Sequence, residues 1–136
     1  MNRNKPSNLQ ALTPREREII DALYKLGEGT VGQVQATLVQ KATYSTVRAQ
    51  LGILERKGYV LHRERYLRYV YIPVLPKQRA AIADLRHILE TFFDGSTERL
   101  VVTLLSEIPP EELERLLRNI ETFQMSRAAE WEQTER

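Results

Sequence analysis

The 136-residue sequence predicts a mainly α fold carrying one small β hairpin, with a head over residues 1–74 and a helical extension over residues 75–136. Three observations predict it. Apolar residues recur at helical spacing three times before Gly58. The pattern then changes to short runs rich in aromatic and β-branched residues, closed by Pro73. Beyond Pro76 only helical spacing returns.

The first helix starts at Thr13-Pro14-Arg15-Glu16, where Thr13 caps, Pro14 suits the first helical position and Glu16 can return a bond to the cap. Ile19, Ile20, Leu23 and Leu26 form its apolar face, and Gly27 with Gly29 ends it. A second, short helix is expected over residues 31–40, with Val34 and Leu38 on its buried side. The third is expected over residues 45–57. Thr43, Ser45 and Thr46 supply capping hydroxyls, Val47, Leu51 and Leu54 share one face, and Gly58 occupies the usual left-handed position beyond the end.

Residues 59–63 and 68–72 read as paired strands. Either Val60 or Leu61 can face the core. The tip near residues 64–67 has neither Gly nor Asn, which predicts a longer loop over a tight two-residue turn. Three helices followed by a basic hairpin is the winged helix-turn-helix order.

In the extension, Ile82, Leu85, Ile88, Leu89, Phe92 and Phe93 make one apolar stripe, ended by Asp94-Gly95. Ser96 or Thr97 caps a helix faced by Leu100, Val101, Leu104 and Leu105. Pro109-Pro110-Glu111-Glu112 then starts a last helix bearing Leu113, Leu116, Leu117, Ile120 and Phe123, with the polar tail beyond Arg127 expected to fray. These helices can close on themselves or pair with a second copy. A segment of this size buries little of its own surface, which favours the second copy. Leu85, Ile88, Leu89, Phe92, Phe93, Leu100, Leu104, Leu113, Leu116, Leu117 and Ile120 are the expected dimerisation residues.

Residues 1–74 hold 12 Lys and Arg against 6 Asp and Glu, a net of +6, whereas residues 75–136 hold 8 against 12, a net of −4. A basic head on an acidic extension suits a polyanionic partner for the head alone. The sequence has no cysteine, and its two histidines, His62 and His87, are far apart, so no metal site or other cofactor is expected. No Gly-rich phosphate loop or nucleophile–base pair is present, which argues against an enzyme and against a small-molecule substrate. No apolar run approaches a membrane span, and a cytoplasmic protein is expected.

The outward face of the third helix carries Ser45, Ala49, Gly52 and Arg56, with Thr46 and Arg48 at its margins. Arg48 suits a guanine edge, Ser45 and Thr46 suit phosphates or bases, and Ala49 suits a thymine methyl. Lys41 and Thr43 precede this helix, and Arg63, Arg65 and Arg68 cluster around the hairpin tip, where they can track phosphates or enter a minor groove. Double-stranded DNA is therefore the expected partner. A solvated helix face and a charged hairpin edge are the competing readings, in which the head is a protein-interaction module or adaptor.

In order and spacing, several stretches resemble the penicillinase-repressor family of the BlaI/MecI type. They are Leu12-Thr13-Pro14-Arg15-Glu16 with Ile19, Tyr44-Ser45-Thr46-Val47-Arg48, Leu54-Glu55-Arg56-Lys57-Gly58-Tyr59-Val60, Tyr69-Val70-Tyr71-Ile72-Pro73, and Phe92-Phe93-Asp94-Gly95-Ser96 leading into Leu100-Val101. The likeness covers residues 12–107 and extends more loosely to Phe123. It implies a homodimeric repressor on a palindromic operator, with Thr46 and Arg48 on the recognition helix. It also implies relief by cleavage near Thr103-Leu104, triggered by a membrane-embedded sensor protease. The Asn-Phe pair of the known resistance repressors is missing there, the cysteine cluster of a copper-responsive branch is absent, and Tyr66 or a neighbour replaces the usual wing-tip Gly.

Overall fold

The computed structural model describes residues 8–134, and its contacts divide the chain into two compact units, Met1–His87 and Ile88–Arg136. In the first unit, α1 (Pro14–Leu26), α2 (Val31–Thr37) and α3 (Tyr44–Arg56) precede the antiparallel strands β1 (Val60–Arg65) and β2 (Arg68–Pro73). A helix α4 (Lys77–Phe93) runs across the division, and the second unit adds α5 (Thr97–Ser106) and α6 (Pro110–Thr134). The division falls inside α4, later than the proline break at residues 73–76, because the first turns of α4 belong to the head. Ala80 is buried in the head's core, and Asp84 pairs with Arg17 of α1.

Local chemistry explains where the helices begin. Thr13 and Thr30 each complete a capping box, with Glu16 and Gln33 respectively, and Thr43 caps α3 by accepting from the Thr46 N–H at 3.2 Å. Helix α2 stops at Thr37, short of the expected residue 40. The Thr37 hydroxyl donates back to the Gln33 carbonyl at 2.8 Å, and Leu38 turns to an extended ψ of 134° while staying buried. At the other end of α3, Gly58 adopts φ +87°, and Tyr59 N–H closes on the Leu54 carbonyl at 2.9 Å.

The core joins Ile19, Ile20 and Leu23 of α1, Val34 of α2, Val47, Leu51 and Leu54 of α3, and Val60 and Tyr71 of the hairpin. Val60 is the inward residue, while Leu61 stands 61% exposed. Each fully buried aliphatic side chain contributes roughly 1.5–3 kcal/mol. Gly29 adds a short third edge: its N–H donates to the Tyr71 carbonyl at 3.0 Å, and Tyr71 N–H returns a bond of 2.8 Å. A Cβ there would lie 3.0 Å from Leu26 Cδ1, so a larger residue would have to displace the end of that half-exposed side chain.

One buried charge ties the head together. Glu16 is 2% exposed, and Lys57 Nζ, just past α3, donates to both its oxygens at 2.8 and 3.1 Å. Burial pushes the Glu16 carboxyl up, but the bonds from Lys57 and Thr13 together outweigh it and hold the carboxyl below its ordinary value. The first turn of α1 is thereby locked to the end of α3.

The hairpin tip corrects the longer loop expected from the sequence. Arg65 pairs directly with Arg68, leaving Tyr66 and Leu67 as a two-residue turn with φ of +51° and +64°. Two left-handed residues match the right-handed twist of the flanking strands, and the register imposes them although neither side chain favours them. The strain is about 1–2 kcal/mol per residue.

In the second unit, Asp94 and Gly95 reverse the chain with φ of +51° and +80°, and Ser96 caps α5 by accepting from the Arg99 N–H at 3.2 Å. Helix α6 continues to Thr134, where fraying beyond Arg127 was expected. Ala128, Ala129 and Glu130 are strong helix formers, and the Arg127 guanidinium lies over the Phe123 ring at 5.9 Å. None of the described residues of this unit is buried.

Candidate nucleic-acid interface

Helix α3 is held by its apolar face, so its opposite face is left to solvent. Val47, Leu51 and Leu54 are wholly buried, while Tyr44, Ser45, Thr46, Arg48, Ala49 and Arg56 are exposed. No atom lies within 4 Å of where a Gly52 Cβ would stand, which leaves α3 smooth at the middle of that face. At the N-terminal end the hydroxyls are already engaged. Thr43 donates to Thr46 Oγ1 at 2.8 Å, and Thr43 and Ser45 oxygens lie 3.3 Å apart.

The hairpin presents two different faces because side chains alternate. Val60, His62, Glu64, Tyr69 and Tyr71 share the face turned to the helices, where His62 stacks on Tyr69 at 4.3 Å between ring centres. Between this face, α3 and the start of α2 opens a groove of about 600 Å³ lined by Thr30, Gly32, Tyr44, Arg48, Arg68 and Tyr69 among others. Arg48 and Arg68 therefore meet one space from two elements. Neither has a carboxylate partner among the described residues, although Glu64 also lines the groove. Burial first, and the Glu55 carboxylate next, raise the Tyr71 phenol above its ordinary value, with Arg48 pulling the other way. Tyr71 thus stays protonated at the groove wall.

Arg63, Arg65 and Arg68 belong to the other face by register, and Arg68, at the tip, borders the groove on each side. Arg63 donates to Glu28 at 2.6 Å, and Arg65 lies 3.6 Å from the same carboxylate. Lys41, Thr43 and Thr46 gather in a separate depression with Arg15 and Gln35, and Arg56 stands exposed at the far end of α3. The ten expected DNA-binding residues are thus grouped as Arg63, Arg65 and Arg68 on one face of the hairpin, with Arg68 also reaching the groove of Arg48, and Lys41 with Thr43 and Thr46, while Ser45 and Ala49 lie on the open face of α3 and Arg56 at its far end.

Three participants escaped the sequence reading. Tyr44 is 53% exposed at the first position of α3, Thr30 caps α2 at the groove edge, and Glu28 pairs with Arg63 and more loosely with Arg65. An acid set between Gly27 and Gly29, beside a segment that bridges β2, was the only available signal for Glu28.

Among the expected dimerisation residues, Leu85, Ile88, Phe92, Leu104, Leu117 and Ile120 are 39–68% exposed, while Leu89, Phe93, Leu100, Leu113 and Leu116 are half-buried. Thr103 and Leu104 both lie exposed within α5. Among the described residues, no three or more His, Cys, Asp or Glu side chains gather where a metal ion could be held, and no helix is long and apolar enough to cross a membrane.

Solved structures with a similar fold include the transcriptional regulator Tm0710 from Thermotoga maritima. It is 16% identical, with a TM-score of 0.52 over 89% of this chain and 80% of that one. A second, a protein designated hsRosR solved as a complex, is 18% identical, with a TM-score of 0.53 over 91% of this chain and 96% of that one. At these identities the likeness concerns the fold. No curated protein matches the sequence. The family described as penicillinase repressor matches residues 12–122, most of the chain, so the chain belongs to the penicillinase repressor family and is a DNA-binding transcriptional repressor, not an enzyme.

Proposed function

We propose that the chain acts as a homodimer on a palindromic operator, one head per half-site, with α3 in the major groove and the hairpin against the flanking duplex. The observation that carries this reading is the convergence of Arg48 and Arg68, from helix and hairpin, on one groove without a carboxylate partner. Arg48 reads a guanine edge, Ala49 meets a thymine methyl, and Ser45 and Thr46 bond phosphates or bases. Lys41, Arg56 and Arg68 hold phosphates, joined by Arg63 and Arg65 once they leave Glu28. Thr43 acts as the cap that aims the first turn of α3.

Dimerisation through residues 88–134 is supported by Phe92 (68% exposed), Leu104 (56%), Leu117 (49%) and Phe123 (61%). Covering such stripes with a second copy removes them from water at roughly 25 cal/mol per Å², and a two-fold axis then presents two heads to two half-sites. Relief of repression by cleavage at Thr103-Leu104, by a membrane sensor protease or one it activates, belongs to the same reading. It requires α5 to open locally, which a helix without a buried residue does at low free-energy cost.

The test is a fluorescence-anisotropy titration of the full chain, at two salt concentrations, against the DNA upstream of its own gene and a scrambled control. The expected result is a preference of at least about 10³-fold, two chains per duplex, and weakening as salt rises. Arg48→Ala should collapse the preference, whereas Arg68→Ala should weaken binding to both duplexes. An unchanged preference in Arg48→Ala removes Arg48 as the reading residue. No duplex binding at low salt would favour the adaptor reading.

A further inference from the structure

The wing tip sets two large apolar side chains where neither packing nor backbone preference places them. Tyr66 is 92% exposed and Leu67 is 95% exposed, and both hold left-handed backbone conformations that Asn or Gly would adopt without strain. The first and last residues of the turn are Arg65 and Arg68, directly opposite one another. An exposed, strained, apolar tip between two cations is poorly explained as a surface turn. It suits a site where the tip leaves water while the flanking charges stay on a polyanion.

We propose that Tyr66 and Leu67 form an apolar wedge that enters the minor groove of the duplex beside each half-site, with Arg65 and Arg68 reaching the phosphates on its two lips. The proposal rests on the DNA-bound reading above, in which α3 occupies the neighbouring major groove. Phosphates alone would be served by a charged or glycine tip, whereas apolar side chains gain only by contacting sugar faces or base edges and opening a step. The guanine N2 amino group protrudes into this groove and would obstruct the wedge. The tip therefore adds a preference for A·T pairs at positions α3 does not touch.

The test uses the full chain and a duplex obtained by selection from random sequence. The pairs flanking each half-site are set to A·T, G·C or I·C, since inosine keeps the major-groove pattern of guanine but lacks the minor-groove amino group. The wild-type protein should lose about tenfold in affinity from A·T to G·C and recover it with I·C. The Tyr66→Asn/Leu67→Gly variant, which carries a turn suited to its backbone, should melt at a higher temperature. It should nevertheless bind the A·T duplex about tenfold more weakly and no longer distinguish the three flanks. A wild-type protein indifferent to the flanks, or a variant of full affinity, overturns the wedge while leaving the repressor reading intact. Failure of the wild-type protein to select any duplex overturns both.

Discussion

Residues 8–87 and 88–134 carry apolar stripes of similar helical periodicity, yet only the first set closes a core. In the head, helices cross a hairpin, and Leu23, Leu51, Leu54 and Val60 lose all contact with solvent. In the second unit the stripes of α5 and α6 remain open, with Phe123 at 61% and Trp131 at 67% exposure. Periodicity thus says that a face will be covered, but not by what. The head should behave as a self-sufficient domain, and the second unit as half of an interface whose stability depends on concentration.

The sharpest way to break this contrast is at Leu51, wholly buried at the centre of α3's inner face. Leu51→Ala should destabilise the head by about 3–4 kcal/mol, by the same amount at every protein concentration. A loss that shrank as concentration rose would mean that the head also depends on its partner. Next in size is the opposite experiment, Leu104→Glu with Leu117→Glu, two exposed residues of the second unit. Sedimentation should show dimer becoming monomer while the head's melting transition stays in place. Operator affinity should fall about 10²-fold as the two half-sites cease to be linked. A persistent dimer would put the interface elsewhere.

The smaller differences follow the charges that hold the head together. Glu16→Gln removes a buried carboxylate whose partner, Lys57, is 46% exposed, so part of the pair's strength is screened and the loss should be about 2 kcal/mol at neutral pH. The sign of its pH dependence is fixed by the lowered carboxyl. The contribution is complete above the ordinary value of 4.5 and is lost as pH falls through the lower value of the folded state. Wild type and variant should therefore converge in stability on acidification below about 4.5, as read by urea titration. A constant gap would assign Glu16 a packing role instead.

Helix starts were legible in the sequence because they are local: Thr13, Thr43 and Ser96 each accept from an N–H three residues on, and Gly58 marks the end of α3. Arg48 and the wing arginines were legible as a basic set. Their grouping was not, because the bond between Glu28 and Arg63 spans 35 residues and the facing of each strand residue depends on register. The second helix was read too long because Leu38 continues its apolar spacing although the backbone there is extended. The tight turn was missed for the converse reason: strand pairing imposes a geometry that Tyr66 and Leu67 do not encode. The Lys57–Glu16 bond had no sequence signal beyond the capping box that Glu16 also serves.

The smallest expected effect lies at Glu28, where head electrostatics meet DNA. Its carboxylate engages Arg63 and, more loosely, Arg65, with all three side chains between 36% and 52% exposed. Exposed pairs of this kind contribute about 0.2–1 kcal/mol, so the acid competes weakly with phosphate for both guanidinium groups. Glu28→Gln should bind random duplex about 1.5- to 5-fold more tightly at low salt, with a steeper dependence on salt as further phosphate contacts form. Operator binding should gain by the same factor, leaving the preference for operator over random sequence unchanged, because neither arginine shares the groove with Arg48. Weaker binding by this variant would mean that Glu28 instead holds the arginines in their DNA-bound arrangement. In that case the wing would be preorganised by the head before it meets DNA.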